Sequence, residues 1–158
     1  GTQMLPESQL DRFMIRLSMG YPSHDAAVQI LKGQEFVPIN GVNLVVSREE
    51  LVELQKKTNS LSVHDSIFDY IVTLIEKTRN SEYFTLGASP RGANSLLRMS
   101  RAMALLSGRN YVVPDDIEAV FTAVLGHRVK LSSRARANGF TVDTALEEVR
   151  KSVKLPRT

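Results

Sequence analysis

The chain contains no cysteine and no tryptophan in 158 residues. The first absence excludes disulfide scaffolds, thiolate metal sites and cysteine nucleophiles outright. No apolar run approaches the roughly 18 residues that cross a bilayer as a helix, and no basic-then-apolar signal sequence opens the chain. A cytoplasmic protein without a transmembrane segment is therefore expected. Six phenylalanines and four tyrosines supply no evident platform on which single-stranded bases would stack. The three histidines, His24, His64 and His127, are far apart in sequence. None belongs to an H-E-x-x-H pattern, so each reads as a surface or satisfied histidine and no metal site is expected.

What is present is an ordinary globular composition, 42% apolar and 23% charged. This length fits one domain, or one domain with part of a second. Charge is uneven. Residues 1–90 carry 8 Lys and Arg against 11 Asp and Glu, whereas residues 91–158 carry 12 against 6. A basic half attracts polyanions, but nothing in the sequence is suited to reading base edges. Any nucleic-acid binding is expected to be weak, salt-sensitive and non-specific. A solvated helical surface with arginines at a subunit contact is the plainer reading.

The pattern of elements is mainly helical. Pro6 to about Phe13 reads as a short helix, with proline suited to its first turn and Glu7 near its positive end. Met14–Met19 alternates as a short strand, stopped by Gly20-Tyr21-Pro22. A helix capped by Ser23 follows from His24 to about Lys32, and Gly33 suits its end. Residues 34–46, broken by Pro38, Asn40-Gly41 and Asn43, suggest an extended linker with a small hairpin. The expected organisation is thus 1–33, a linker at 34–46, and a helical domain over 47–158.

Beyond the linker the signal is helical almost throughout. Ser47 and Glu50 form a capping box for a helix to about Lys57. Ser62 and Asp65 form a looser one, before a stripe of Val63, Ile67, Tyr70, Ile71, Leu74 and Ile75. Ser89-Pro90 opens a helix to about Leu106, apolar around much of its circumference and so placed at the centre of a bundle. Pro114 opens another that Gly126 ends, although Val113 cannot cap it. Thr141 caps a last helix to Val153. The Asp115-Asp116 pair reads as complementing a helix dipole rather than as a catalytic dyad.

Gly87-Ala88-Ser89-Pro90-Arg91-Gly92 spaces two glycines as a phosphate-binding loop does, but Ala93 and Asn94 stand where lysine and Ser/Thr should follow. Those are the groups that meet the terminal phosphates and magnesium. Pro90 also removes a backbone N–H from the would-be cradle. It is not a P-loop. What remains is Arg91 in the first turn of a helix. Such an arginine serves either a structural salt bridge or, facing a cleft, phosphate oxygens. Arg12 poses the same choice: a partner for Asp11, or an outward reach from a surface turn.

Taken together, these segments resemble a known family. Leu5-Pro6-Glu7-Ser8-Gln9-Leu10-Asp11-Arg12-Phe13 with Arg16-Leu17-Ser18-Met19-Gly20-Tyr21-Pro22 resembles the end of the ATPase core of MoxR-family AAA+ proteins. Leu86-Gly87-Ala88-Ser89-Pro90-Arg91-Gly92-Ala93 resembles its sensor 2 motif. The stretches Gly108–Ile117 and Leu125-Gly126-His127-Arg128-Val129 resemble the rest of its helical lid. The similarity runs in order along nearly the whole chain and is loosest at 34–46 and 132–140.

The resemblance implies a mainly α fold: a helical-bundle AAA+ lid domain at 47–158, preceded at 1–33 by a helix-strand-helix remnant of the α/β core. Arg12 then matches the arginine finger, which acts on a neighbouring subunit's ATP. Arg91 matches the sensor 2 arginine on the nucleotide phosphates, in cis or in trans. Implied further are ATP and Mg2+ in the full-length parent, a homo-oligomeric ring such as a hexamer, and chaperone-like remodelling of client or von Willebrand factor A domain proteins. Walker A, Walker B and sensor 1 would lie upstream of Gly1, so this chain alone is expected to bind no cofactor and hydrolyse no ATP. The rival reading is a stand-alone basic helical module that binds nucleic acid or serves as a non-catalytic interaction domain.

Overall fold

The protein is described by a computed structural model over residues 5–33 and 42–156. Its elements in chain order are α1 Glu7–Leu10, α2 His24–Leu31, α3 Arg48–Ser60, α4 Asp65–Asn80, β1 Phe84–Leu86, α5 Pro90–Leu106, α6 Pro114–Leu125, β2 Lys130–Leu131, α7 Ser133–Ala137 and α8 Val142–Lys151. Contacts divide the chain into two units. One comprises the described parts of 1–16 and 57–158, and the other is Leu17–Lys56.

The larger unit is a helical bundle built on α4, α5, α6 and α8. The stripe on α4 buries Ile67, Tyr70, Ile71, Leu74 and Ile75 as the sequence predicts and adds Thr78, whereas Val63 precedes the helix and is only partly buried. Opposite it lie Leu96, Ile117, Phe121, Leu125 and Leu146, each no more than 1% exposed. Burying side chains of this size contributes about 1.5–3 kcal/mol apiece, which offsets the ordering of the chain. The face α5 turns inward is made of small residues, Gly92, Ser95, Ser100 and Ala104, around Leu96. Small side chains permit close helix approach, and α5 packs most extensively on α6. Its outer face is not apolar, contrary to the sequence reading, because Arg91, Asn94 and Arg98 are exposed there.

Caps explain most boundaries. Ser89 Oγ accepts the Gly92 amide at 3.2 Å, and Pro90 fills the first helical position of α5. Thr141 Oγ1 accepts the Thr144 amide at 3.1 Å and opens α8. At α4 the cap is His64 rather than Ser62, with Nδ1 accepting the Ser66 amide at 3.2 Å. Ser62 is drawn away by a parallel bridge to Tyr111, in which its carbonyl accepts the Val112 amide at 3.1 Å. Val113 indeed offers α6 no cap, but Asp116 reaches back and accepts the Val113 amide at 2.9 Å. The same buried carboxylate takes Arg109 Nη1 and Nη2 at 2.8 and 2.6 Å, so the acidic pair is structural in a more specific way than a dipole contact. On the far side, Arg150 ties α8 to α6 through Glu118 at 2.6 Å. Tyr70 donates to Glu118 at 3.4 Å, and burial together with that carboxylate pushes its hydroxyl up to about 12.

Two small features were not legible from periodicity. β1 and β2 pair antiparallel, Phe84 opposite Leu131 and Leu86 opposite Lys130, and α7 follows directly. Segments of two to five residues are too short to show a period. One expected element is absent: the strand of the helix-strand-helix remnant, Met14–Met19, does not form. A lone strand needs a sheet, and here the segment is tied instead to a helix, Arg16 N donating to the Ala123 carbonyl of α6 at 2.9 Å, while Ile15 packs against the bundle core. The first helix is also shorter than expected, ending at Leu10 and followed by a turn.

In the smaller unit, α2 has the expected Ser23 cap, with Oγ accepting the Ala26 amide at 3.2 Å. At the start of α3, Glu50 accepts from the Ser47 amide at 2.8 Å while Ser47 Oγ accepts the Glu50 amide at 3.2 Å, which is the predicted capping box. No described residue of this unit is buried, and Leu31, Leu44 and Val45 are each more than 80% exposed. The expected linker at 34–46 and its Asn40-Gly41 turn lie, over 34–41, outside the described residues.

Candidate functional site

The turn after α1 carries Arg12, and it is held by a side chain from the opposite end of the sequence. Arg128, 1% exposed, places its guanidinium under this turn. Nε donates to Asp11 Oδ1 at 3.1 Å, Nη1 to the Met14 carbonyl at 3.1 Å, and Nη2 to the Asp11 carbonyl at 3.2 Å and Ser95 Oγ at 3.1 Å. Nη1 also donates to the Val124 carbonyl and Nη2 to the Phe13 carbonyl. Burial lowers the pKa of this guanidinium, and the neighbouring Asp11 charge works in the opposite direction. A planar fork with five donors is the one side chain that can satisfy so many divergent acceptors.

Asp11 completes the staple. Its two carboxylate oxygens accept the Ser89 hydroxyl, each at 2.9 Å, so the residue that caps α5 also anchors the turn. Lys130 adds an exposed pair to Glu7 at 2.8 Å. The consequence for Arg12 is direct: Asp11 is engaged by Arg128 and Ser89, not by its sequence neighbour. The local structural role weighed for Arg12 in the sequence is therefore taken by another arginine.

The glycines of the 87–92 segment are explained by packing rather than by phosphate. A Cβ on Gly87 would lie 2.6 Å from the Arg79 Cα, so only glycine lets this strand end pass α4. On Gly92 it would press on the Arg128 side chain at 3.3 Å. Between them, the Ala88 amide donates to Thr78 Oγ1 at 2.9 Å and its carbonyl accepts Arg79 Nε at 2.8 Å. The loop is thereby fixed to the end of α4, and Arg91 is presented from a rigid helix start.

Arg12 and Arg91 line a single cleft of about 640 Å3, together with Met14, Asn59, Asn94, Ser95, Leu97, Arg98 and Arg101. No carboxylate is among the described lining residues. Among the described residues, none of these four arginines makes a salt bridge or a side-chain hydrogen bond, whereas Arg79, Arg109, Arg128, Arg134 and Arg150 are all paired. The sequence points to Arg12 and Arg91. It gave no prominence to Arg98 and Arg101, although positions 91, 94, 98 and 101 form one helical stripe that periodicity could have exposed.

His127 fastens the same turn from the side. Its Nε2 donates to the Phe13 carbonyl at 2.9 Å, while Nδ1 is buried without a partner. Burial pushes its pKa below the usual 6.5; the Phe13 bond opposes this, and the Arg128 and Arg16 charges reinforce it. The unfolded chain thus takes up this proton more readily than the folded one. The contribution is fully present above about pH 6.5 and is lost as pH falls from there through the folded value. We expect an NMR titration to place His127 below 6.5. We also expect the acid-side drop in thermal midpoint to shrink in His127→Gln, which keeps a donor but cannot titrate. An unshifted His127 would contradict this account.

Comparison with known proteins matches this architecture. Residues 76–149 match the AAA lid domain family. The stretch from the end of α4 to α8 is thus an AAA+ lid. Over 157 residues the chain is 40% identical to the uncharacterized protein YeaC of Bacillus subtilis, covering 99% of this chain and 49% of that one. It is 31% identical over 166 residues to the chaperone MoxR1 of Mycobacterium tuberculosis, covering 99% and 44%. A crystal structure of an ATPase candidate from Cytophaga hutchinsonii superposes with a TM-score of 0.86 at 29% identity, over 99% of this chain and 51% of that one. The chain belongs to the MoxR-type AAA+ ATPases and corresponds to their C-terminal portion. It spans about half the length of the relatives it matches.

Proposed function

We propose that this chain is the lid and finger-bearing portion of an ATP-hydrolysing, chaperone-like remodelling machine, and that Arg12 and Arg91 act together on the phosphates of one nucleotide. The observation that carries this reading is the shared cleft: both arginines line it, and neither is neutralised by a described residue. Phosphoryl transfer is accelerated chiefly by positioning and by stabilising charge on the transferring group, and a permanently charged planar donor fits that task. Arg12 is assigned as the arginine finger, the catalytic residue that reaches a neighbouring subunit's ATP in a homo-oligomeric ring. Arg91 is assigned as sensor 2. Because the two line one cleft, Arg91 serves the same neighbouring nucleotide as Arg12. ATP fits the arginine donors. No carboxylate is among the described lining residues, so the proposed Mg2+ ligands belong to the P-loop half of the parent's site. Client and von Willebrand factor A domain proteins are the proposed partners.

The test is subunit mixing in the full-length parent. Subunits with Arg91→Ala and an intact P-loop, mixed with subunits that keep Arg91 but have lost the P-loop lysine, should regain ATP turnover. Arg91→Ala alone should weaken nucleotide binding as well as hydrolysis, since it touches phosphates in the ground state. Defective turnover with no recovery on mixing places Arg91 on its own subunit's nucleotide. Normal turnover by Arg91→Ala overturns the assignment.

A further inference from the structure

The cleft holds two more arginines than a finger and a sensor require. Arg91, Asn94, Arg98 and Arg101 follow one another at spacings of three, four and three along α5, which keeps them on one face. From Arg91 to Arg101 this stripe extends about 15 Å at 1.5 Å per residue, longer than one phosphate group. Arg12 and Met14 come from the turn after α1, and Asn59 from the end of α3. Arg101 lines the cleft with its Nε buried and without any acceptor. Such a donor is unfavourable unless a ligand supplies the oxygen.

We infer that Arg98 and Arg101 complete a four-arginine site for an extended triphosphate, and that this chain binds such an anion through its phosphates without reading the base. The inference rests on the reading that the cleft faces nucleotide phosphates, and it extends that reading to two residues with no assigned role. The remaining described lining side chains are Asn59, Asn94, Ser95, Met14 and Leu97, and none of these is an aromatic ring on which a base would stack. Charge and guanidinium geometry therefore set the preference, and it should follow the number of phosphates.

The test is calorimetric titration of the 158-residue chain at low ionic strength, without magnesium, with tripolyphosphate, ATP, GTP and AMP. Tripolyphosphate, ATP and GTP should bind alike, and AMP at least about tenfold more weakly. Arg98→Gln, at an exposed position where folding is not at risk, and the Arg98→Gln/Arg101→Gln pair should weaken all three triphosphates, the pair by at least about tenfold. Arg136→Gln removes the same charge from an exposed, unpaired arginine outside the cleft and should change little. Several results overturn the inference: no triphosphate binding by the unaltered chain, unchanged binding in the Arg98 and Arg101 variants, an equal loss in Arg136→Gln, or a preference for ATP over GTP. If Arg91→Gln loses triphosphate while the Arg98 and Arg101 variants do not, the inference fails while the proposed function stands. Failure of the proposed function is read separately, from turnover in the mixed ring.

Discussion

Arg12→Ala should leave the nucleotide affinity of the full-length ring nearly intact and cut ATP hydrolysis on the order of 10³-fold or more, the scale on which arginine fingers act. The reason is selective action on the transition state. A finger meets charge that develops as the phosphoryl group transfers, so removing it affects turnover and not ground-state binding. The structure sharpens the expectation, because Arg12 has no partner among the described residues whose loss would disturb the fold; Asp11 is held by Arg128 and Ser89. The variant should therefore melt like the parent. Arg16 is the control: its amide ties the segment to the bundle, but its guanidinium is not in the cleft, and Arg16→Ala should hydrolyse ATP normally. Equal turnover by Arg12→Ala and the parent ring would remove Arg12 from the catalytic machinery.

Replacing Arg128 should be costly in a different currency. Arg128→Met fills the space but leaves the carbonyls of Val124, Phe13 and Met14 without their donor and Asp11 without its cation. Removing one partner of such a buried pair costs about 3–5 kcal/mol, measurable by denaturant unfolding. Arg128→Lys should recover only part, because one ammonium cannot reach acceptors that diverge around a planar fork. In the ring, hydrolysis should also fall, although Arg128 lines no part of the cleft, because the turn that carries Arg12 loses its support. A loss below about 1 kcal/mol, the range of ordinary substitutions, would show that the staple contributes little.

Much of this was readable in advance where periodicity and capping speak. The α4 stripe, the Ser89-Pro90 start of α5, the Thr141 cap and the Ser47–Glu50 box depend on local rules, and they stand in the structure where the sequence puts them. The failures were failures of non-local information. His64 caps α4 because Ser62 is claimed by a bridge to Tyr111, far along the sequence. The 14–19 alternation does not make a strand, because alternation specifies a pleat and not a neighbour. Arg12 and Arg91 were singled out through resemblance, whereas their convergence depends on Arg128, and a buried arginine in a helix-ending segment looks like any exposed one on paper. Asp116 illustrates the same limit: its position announces a helix start, but not that Arg109 will close on it.

The fastening of residues 5–16 to the bundle has a mechanical corollary. The turn that holds Arg12 and the helix that holds Arg91 are riveted through Arg128, Asp11 and Ser89, so they travel as a single rigid jaw. If the proposed ring forms, a swing of this bundle would bring both guanidiniums to the phosphates, or withdraw both, in one stroke. The joint between the two arginines is therefore not where such a motion bends.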